Sequence, residues 1–375
     1  MERVVEKHLA RWQEAGLIDA PTAARIGAWE DSHGAAGATT GRLGRVVFGL
    51  GGLMLSAGIL LFVAAHWAEL SPGARFAVVL GMVAVLHLAG ALTASLPALA
   101  TTLHAAGTAA LGAGIFLAGQ IFNLGDNWPA GLLLWTLGAA AGVYLLRDAA
   151  QVAWLAVLAP SWLIGEWLRA WPRPLSGEAD VAVVSAGLTM LALAYLAARE
   201  SESDTGWRRV LSHIGSMLLI PSAALLFTPW LTNDARSASA LADVVGWTVA
   251  LALPVGLAVA MRGRQGLWIA LWVPWVVALY AVHHARLTGI VLYLLAAAGA
   301  VGLTAWGVHE RRTRIVNLGV TAFAITVAAF YFSSLYDLLG RSAGLTGLGI
   351  VFLAGGWLLD RLRRALLARI EAGPS

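Results

Sequence analysis

TGIVLYLLAAAGAVGLTAWGV, from Thr288 to Val308, is a run of 21 residues without one charge, and His309-Glu-Arg-Arg-Thr-Arg314 follows it at once. A helix needs roughly 20 apolar residues to cross the hydrocarbon layer, and arginines just beyond its end hold that end in water. Runs of the same kind fill the chain on both sides. Working outward gives twelve: 43–65, 75–95, 102–122, 129–146, 151–168, 180–198, 209–228, 242–261, 266–283, 288–308, 314–332 and 343–360. They are continuous rather than alternating, which excludes lipid-facing β-barrel strands. The fold class is therefore all-α, a polytopic transmembrane helical bundle of about twelve spans.

Composition agrees. Of 375 residues 59% are hydrophobic and 12% charged, about half the charge of a soluble domain. Cysteine is absent, which removes disulfides, thiolate catalysis and cysteine metal sites. Lys7 is the only lysine, and the arginines flank apolar runs rather than forming a patch interleaved with aromatics. The basic balance thus fits membrane topology and anionic lipid, with no nucleic-acid partner. The first apolar run lacks a small-residue cleavage site, so it reads as a retained span.

Arginine also fixes an orientation. With the N-terminus inside, 19 of the 25 basic residues fall in inner segments, and only Arg75, Arg169, Arg173, Arg236, Arg286 and Arg341 fall outside. An extra or missing span would reverse every later loop, so the positive-inside rule asks for an even number of spans with both termini cytoplasmic. The outer loops hold eight acids, among them Glu69, Asp126, Glu166 and Asp243, either as solvated loop residues or as an outward cation site.

The first 41 residues differ in character. Val4, Val5, Leu9 and Trp12 have near-helical spacing, Gly16 suits a helix C-terminal cap, and Asp19 suits the N-cap of a second helix with Pro21 in its first turn. Gly34 to Gly41 reads as a flexible linker. The division expected is a short cytoplasmic helical hairpin and linker over 1–41, a membrane region over 42–364 and a cytoplasmic tail over 365–375. So small a hairpin cannot bury a core of its own, which makes 1–41 a candidate surface for a protein partner.

Three stretches carry a family resemblance: Leu9 to Asp19 with its tryptophan and Gly16-Leu-Ile-Asp19 corner; Phe62-Val-Ala-Ala-His-Trp67 followed by Leu70-Ser-Pro-Gly-Ala-Arg75; and Gln120-Ile-Phe-Asn-Leu-Gly-Asp126 leading to Leu134-Trp135 and Leu145-Leu-Arg147. Together they resemble the bacterial predicted-membrane-protein family called domain of unknown function 2157, over the N-terminal segment and the first four spans. The stretch from Asn317-Leu-Gly319 through Tyr331-Phe332 to Gly355-Gly-Trp357 resembles the tail of such proteins. The resemblance implies a bacterial inner-membrane protein and no activity. Where the family often has asparagine before its tryptophan, this chain has His66.

Polar candidates fall into two groups. The outer ends of the first and third spans hold His66, Trp67, Glu69, Gln120, Asn123 and Asp126. They form an outward polar site if the two hairpins pack together, and a turn with an interfacial tryptophan belt if they do not. Within the membrane lie His87, an intramembrane titratable group, and Pro160, Pro221, Pro254 and Pro274. Each proline deprives a carbonyl one turn earlier of its helical donor, and a neighbour or cavity water must satisfy it. Such broken helices often build transporter sites, but they also occur as simple packing kinks.

GxxxG-like pairs at Gly138/Gly142 and Ala298/Gly302 read as internal packing faces. No phosphate loop, nucleophile elbow or His-Glu-x-x-His run is present, so no catalytic residue, metal ligand set or cofactor is assigned. Two function classes remain: a transporter-like or lipid- and solute-handling protein, and a non-catalytic scaffold recruiting partners through the N-terminal hairpin.

Overall fold

The structure is a computed structural model that describes residues 11–37, 70–121, 127–170, 178–198, 206–226, 240–284 and 290–335, with isolated positions between and beyond them. The described residues are all-helical. The chain divides into two units, residues 1–124 and 125–375. The first and twelfth apolar runs lie outside the described residues.

In the first unit, residues 11–14 are helical and Gly16 adopts the left-handed backbone (φ 68°) that a helix-ending glycine permits. Helix α1 runs Ala20–Gly37. Asp19 Oδ1 accepts the Thr22 N–H at 3.0 Å, which satisfies one of the free donors at the helix start. The helix continues through Gly34 to Gly37, four residues into the stretch expected to be linker. Helices α2, Pro72–Leu92, and α3, Pro97–Ile121, are the apolar helices of this unit among the described residues. Ser71 caps α2 by accepting the Ala74 N–H at 3.3 Å, with Pro72 beside it in the first turn. At the other end the Thr93 hydroxyl donates to the Ala89 carbonyl at 2.7 Å, and the chain turns into α3. The two helices touch through glycine: Gly114 faces Val79, Gly107 faces the His87 ring and Gly90 faces the His104 ring.

The second unit contains α4 (Trp128–Leu146), α5 (Ala149–Ala170), α6 (Glu178–Ala197), α7 (Trp207–Leu225), α8 (Ala240–Arg262), a 3-10 helix (Gly263–Trp272), α9 (Val273–His284), α10 (Ile290–His309) and α11 (Thr313–Phe330). Helix α6 is its axis, packed against α7, α8, α9 and the 3-10 helix. Ala186, Met190, Leu193, Ala194 and Leu196 on it are fully buried. Small residues set the close approaches. A Cβ on Gly215 would stand 2.6 Å from the Ala192 carbonyl oxygen, Gly142 receives the Gln151 side chain, and Gly302 receives the Trp272 ring. These are short backbone-to-partner distances of the kind small residues allow between membrane helices.

The ninth run, read as a span over 266–283 that Pro274 kinks or breaks, begins as a 3-10 helix. Gly263 (φ 62°) turns the chain, Gly266 lies against the backbone of Ala258 and Val259, and the ten residues Gly263–Trp272 wind as a 3-10 helix. Pro274 supplies the reason. An α-helix through it would leave the Ala270 carbonyl without a donor; here the Val273 N–H donates to that carbonyl in the tighter 3-10 pattern. Pro274 thus sits in the first turn of α9, within the apolar stretch Leu241–Val282.

Among the described residues, seven helical stretches are long and apolar enough to cross a membrane. One of them, Leu241–Val282, is 42 residues long and consists of the two legs that reverse at Gly263. Helix α6 counts as a shorter apolar helix, Val181–Ala197, and α7 carries Arg208, Arg209 and His213 in its first two turns. Large apolar side chains face outward across both units, Leu88 at 62% exposed and Leu271 at 76%. A water-facing surface would not carry so many.

Candidate functional site

Helices α5, α6 and α8 do not close completely on one another. Between them lies a crevice of about 480 Å³ whose walls are Ala159, Pro160, Leu163 and Trp167 of α5, Val183, Gly187 and Leu191 of α6, and Gly246, Val249, Leu253 and Pro254 of α8. Two of the four intramembrane prolines, Pro160 and Pro254, stand on facing walls; Pro221 and Pro274 lie elsewhere. The Trp167 ring covers Gly246, and Gly187 approaches Ala250 closely enough that a Cβ there would be 3.3 Å from the alanine's own. Val249 and Leu253 on the rim are about half exposed, so the crevice opens sideways between the helices.

A second hollow of about 560 Å³ adjoins the first and shares Ala159, Tyr195 and Leu257 with it. It continues along α5 to the α4–α5 turn, where Arg147 and Asp148 line it together with Trp207 and Leu211 of α7 and Met261 of α8. The turn is made by Arg147 in the left-handed region (φ 50°), and Asp148 Oδ1 accepts the Ala150 N–H at 3.2 Å at the start of α5. Arg208 lies over the Trp207 ring, 4.9 Å from its centroid. Together the hollows follow the whole of α5, about 33 Å at 1.5 Å per residue, which is close to the thickness of the hydrocarbon layer.

Tyr195 stands at the waist between them, buried, and its hydroxyl donates to the Ala156 carbonyl at 2.9 Å. Pro160 explains that bond. Ala156 is four residues before the proline, so its carbonyl has no helical donor, and the tyrosine supplies one. The carbonyl that the proline frees is thereby satisfied within the protein. At the far end Glu166 accepts from Trp162 Nε1 and from Arg169 Nε, both at 3.4 Å. Both partners of the Arg169 pair are partly exposed, so it adds little to stability.

Three arginines, Arg262, Arg312 and Arg314, gather at one end of this unit. Arg262 donates to Glu310 Oε1 at 2.8 Å, with both side chains 7% exposed. Arg312 donates to the Leu196 carbonyl and, at 2.9 Å, to Ser212 Oγ. Arg314 reaches His213 Nε2 at 2.7 Å. These contacts tie the ends of α6, α7, α8, α10 and α11 together.

In the first unit, His87 on α2 meets His104 on α3, with the two Nδ1 atoms 3.1 Å apart. Gln120 is exposed near the end of α3. His66, Trp67, Glu69, Asn123 and Asp126, expected beside it, lie outside the described residues. Among the described residues no group of three or more His, Asp or Glu side chains is placed to hold a metal ion.

Tyr195, Trp167, Gly187 and Gly246 were not singled out from the sequence. The donor to the Ala156 carbonyl had to exist once Pro160 was placed in a span. Which of many hydroxyls would supply it depends on helix pairing, and an apolar sequence does not encode that in any local pattern.

Residues 10–152 match the model of a family described as predicted membrane protein (DUF2157). No curated protein and no solved structure matches the chain.

Proposed function

We propose, for a membrane protein whose residues 10–152 match that predicted-membrane-protein family, that the second unit handles lipid, with the crevice between α5, α6 and α8 holding an acyl chain. The observation that carries this reading is the crevice itself. Its volume lies within the range of about 300–1,000 Å³ typical of ligand sites, its walls are almost wholly apolar, and its rim opens sideways. A polar solute would find no partners in its middle, so the site suits a hydrocarbon chain and does not suit headgroup passage. The meeting of Arg262, Arg312 and Arg314 at one end of the unit supports the finer topology, twelve spans with both termini in the cytoplasm of a bacterial cell and the arginine end inward.

The test is a photoactivatable fatty acid or phospholipid added to the full chain in nanodiscs. Label is expected on peptides from 159–170, 183–195 and 246–257. Ala159→Trp, which fills the junction of the hollows, reduces labelling at least fivefold while thermal unfolding stays cooperative. Equal labelling in a folded Ala159→Trp protein refutes the reading.

A second reading has its own observation. Trp12, Leu17 and Trp29 of the N-terminal segment are 38%, 72% and 56% exposed, an apolar surface of the sort that docks a partner. A chain lacking residues 1–37 that keeps all its co-purifying proteins would remove it.

A further inference from the structure

We propose that the α2–α3 hairpin contains a site for one excess proton, held by His87 and His104 as a pair joined through their Nδ1 atoms. This is independent of the crevice. The two nitrogens are 3.1 Å apart, within hydrogen-bonding range for N–H···N, and the ring centroids are 5.3 Å apart. Two imidazoles can bond this way only in opposite tautomers: one carries hydrogen on Nδ1 and donates, the other carries it on Nε2 and accepts. The donor ring therefore keeps a free Nε2. An excess proton from water adds there, and the pair becomes an imidazolium–imidazole cation with a charge-assisted N–H···N bond. A second proton must take the accepting lone pair, break that bond and set two like charges at contact distance. The site binds one proton and opposes the next.

Packing holds the rings in this arrangement. Each ring rests on a glycine of the opposite helix, His87 on Gly107 and His104 on Gly90, and a Cβ at either glycine would stand 2.7–2.9 Å from ring atoms. His104 is buried and His87 is half-buried, which makes His87 the ring that water reaches. His87 lies five residues before the end of α2, about 8 Å along the axis, so the path to water is short. The only other charged side chain on α2 is Arg75, more than three turns away, and α3 carries no Asp, Glu, Lys or Arg. Among the described residues, no carboxylate on these two helices competes for the proton. The pair thus gives an intramembrane proton acceptor where other membrane proteins use a carboxylate.

The experiment is nitrogen-15 histidine NMR of the full chain in nanodiscs, with His87→Gln and His104→Gln assigning the signals among nine histidines. The expected result is a scalar coupling between the two Nδ1 nuclei and proton uptake by the pair in two separate steps. Either glutamine variant leaves a single one-proton step at the remaining histidine. Gly107→Ala abolishes the coupling with both histidines present; if it fails to fold, the glutamine variants still decide. Absence of the coupling, or simultaneous independent titration of both rings in the unaltered chain, overturns the proposal.

Discussion

The α2–α3 pair and the surroundings of α6 solve the same problem in opposite ways. On α2 the buried side is confined to Val79, Leu86 and Gly90, and the helix is matched to its neighbour by glycine seats and one pair of imidazoles. On α6 every residue from Ala192 to Ala197 is buried, and neighbours on several sides are locked at the helix ends by Arg262, Glu310 and Arg312. In lipid, apolar burial does not distinguish one partner from another, because the solvent is as apolar as the side chain. Specificity must come from shape and from polar groups that have nowhere else to go. The first unit places its polar pair inside the contact; the second places its charged pairs at the helix ends.

The largest effect expected from this contrast is at Glu310. Glu310→Ala leaves Arg262 buried without its carboxylate, and loss of one partner of a buried pair costs about 3–5 kcal/mol. Thermal unfolding in detergent should drop for signals from the second unit, and hydrogen exchange of α2 and α3 should stay unchanged. A uniform loss across both units would break the comparison.

Tyr195→Phe is next. It removes the donor that Pro160 makes necessary and leaves the Ala156 carbonyl unsatisfied, a cost of about 1–3 kcal/mol. Faster amide exchange confined to α5 around Ala156 is expected, and unchanged exchange would mean that the kink needs no donor.

The smallest effect sits outside the apolar helices. The Thr22 hydroxyl and N–H, in that order, hold the Asp19 carboxyl below its ordinary value. A group depressed in the folded state stabilises above its unfolded pKa, about 3.9 for aspartate, and that stabilisation disappears as pH falls through the lower folded value. Helical signal from the start of α1 should therefore fade only in acid, and Asp19→Asn should remove that dependence. Fading near neutral pH would show another group at work.

Local readings transferred best where a residue acts on its own backbone. Gly16 and Asp19 are such cases, because the left-handed turn and the N-cap hydrogen bond involve atoms within four residues. The second to fifth, eighth, tenth and eleventh apolar runs transferred for a related reason: length and hydropathy are sums over one segment. The reading failed where a neighbour decides. Gly34 looked like linker, but the helix runs on to Gly37. In the ninth run the sequence marks a break at Pro274, but not that the turn at Gly263 and the freed carbonyl wind the stretch before the proline as a 3-10 helix.

By itself the sequence determined that this chain is helical, that lipid is its solvent and where seven of its apolar helices lie, since each follows from the composition of a single stretch. Only the tertiary structure decided that His87 faces His104, that Tyr195 serves Pro160, and that Pro160 and Pro254 face each other across a crevice. Those facts depend on which helix lies beside which. Among helices that are apolar on every side, that choice is set by glycine-sized gaps and single hydrogen bonds, which leave no periodic trace in the chain.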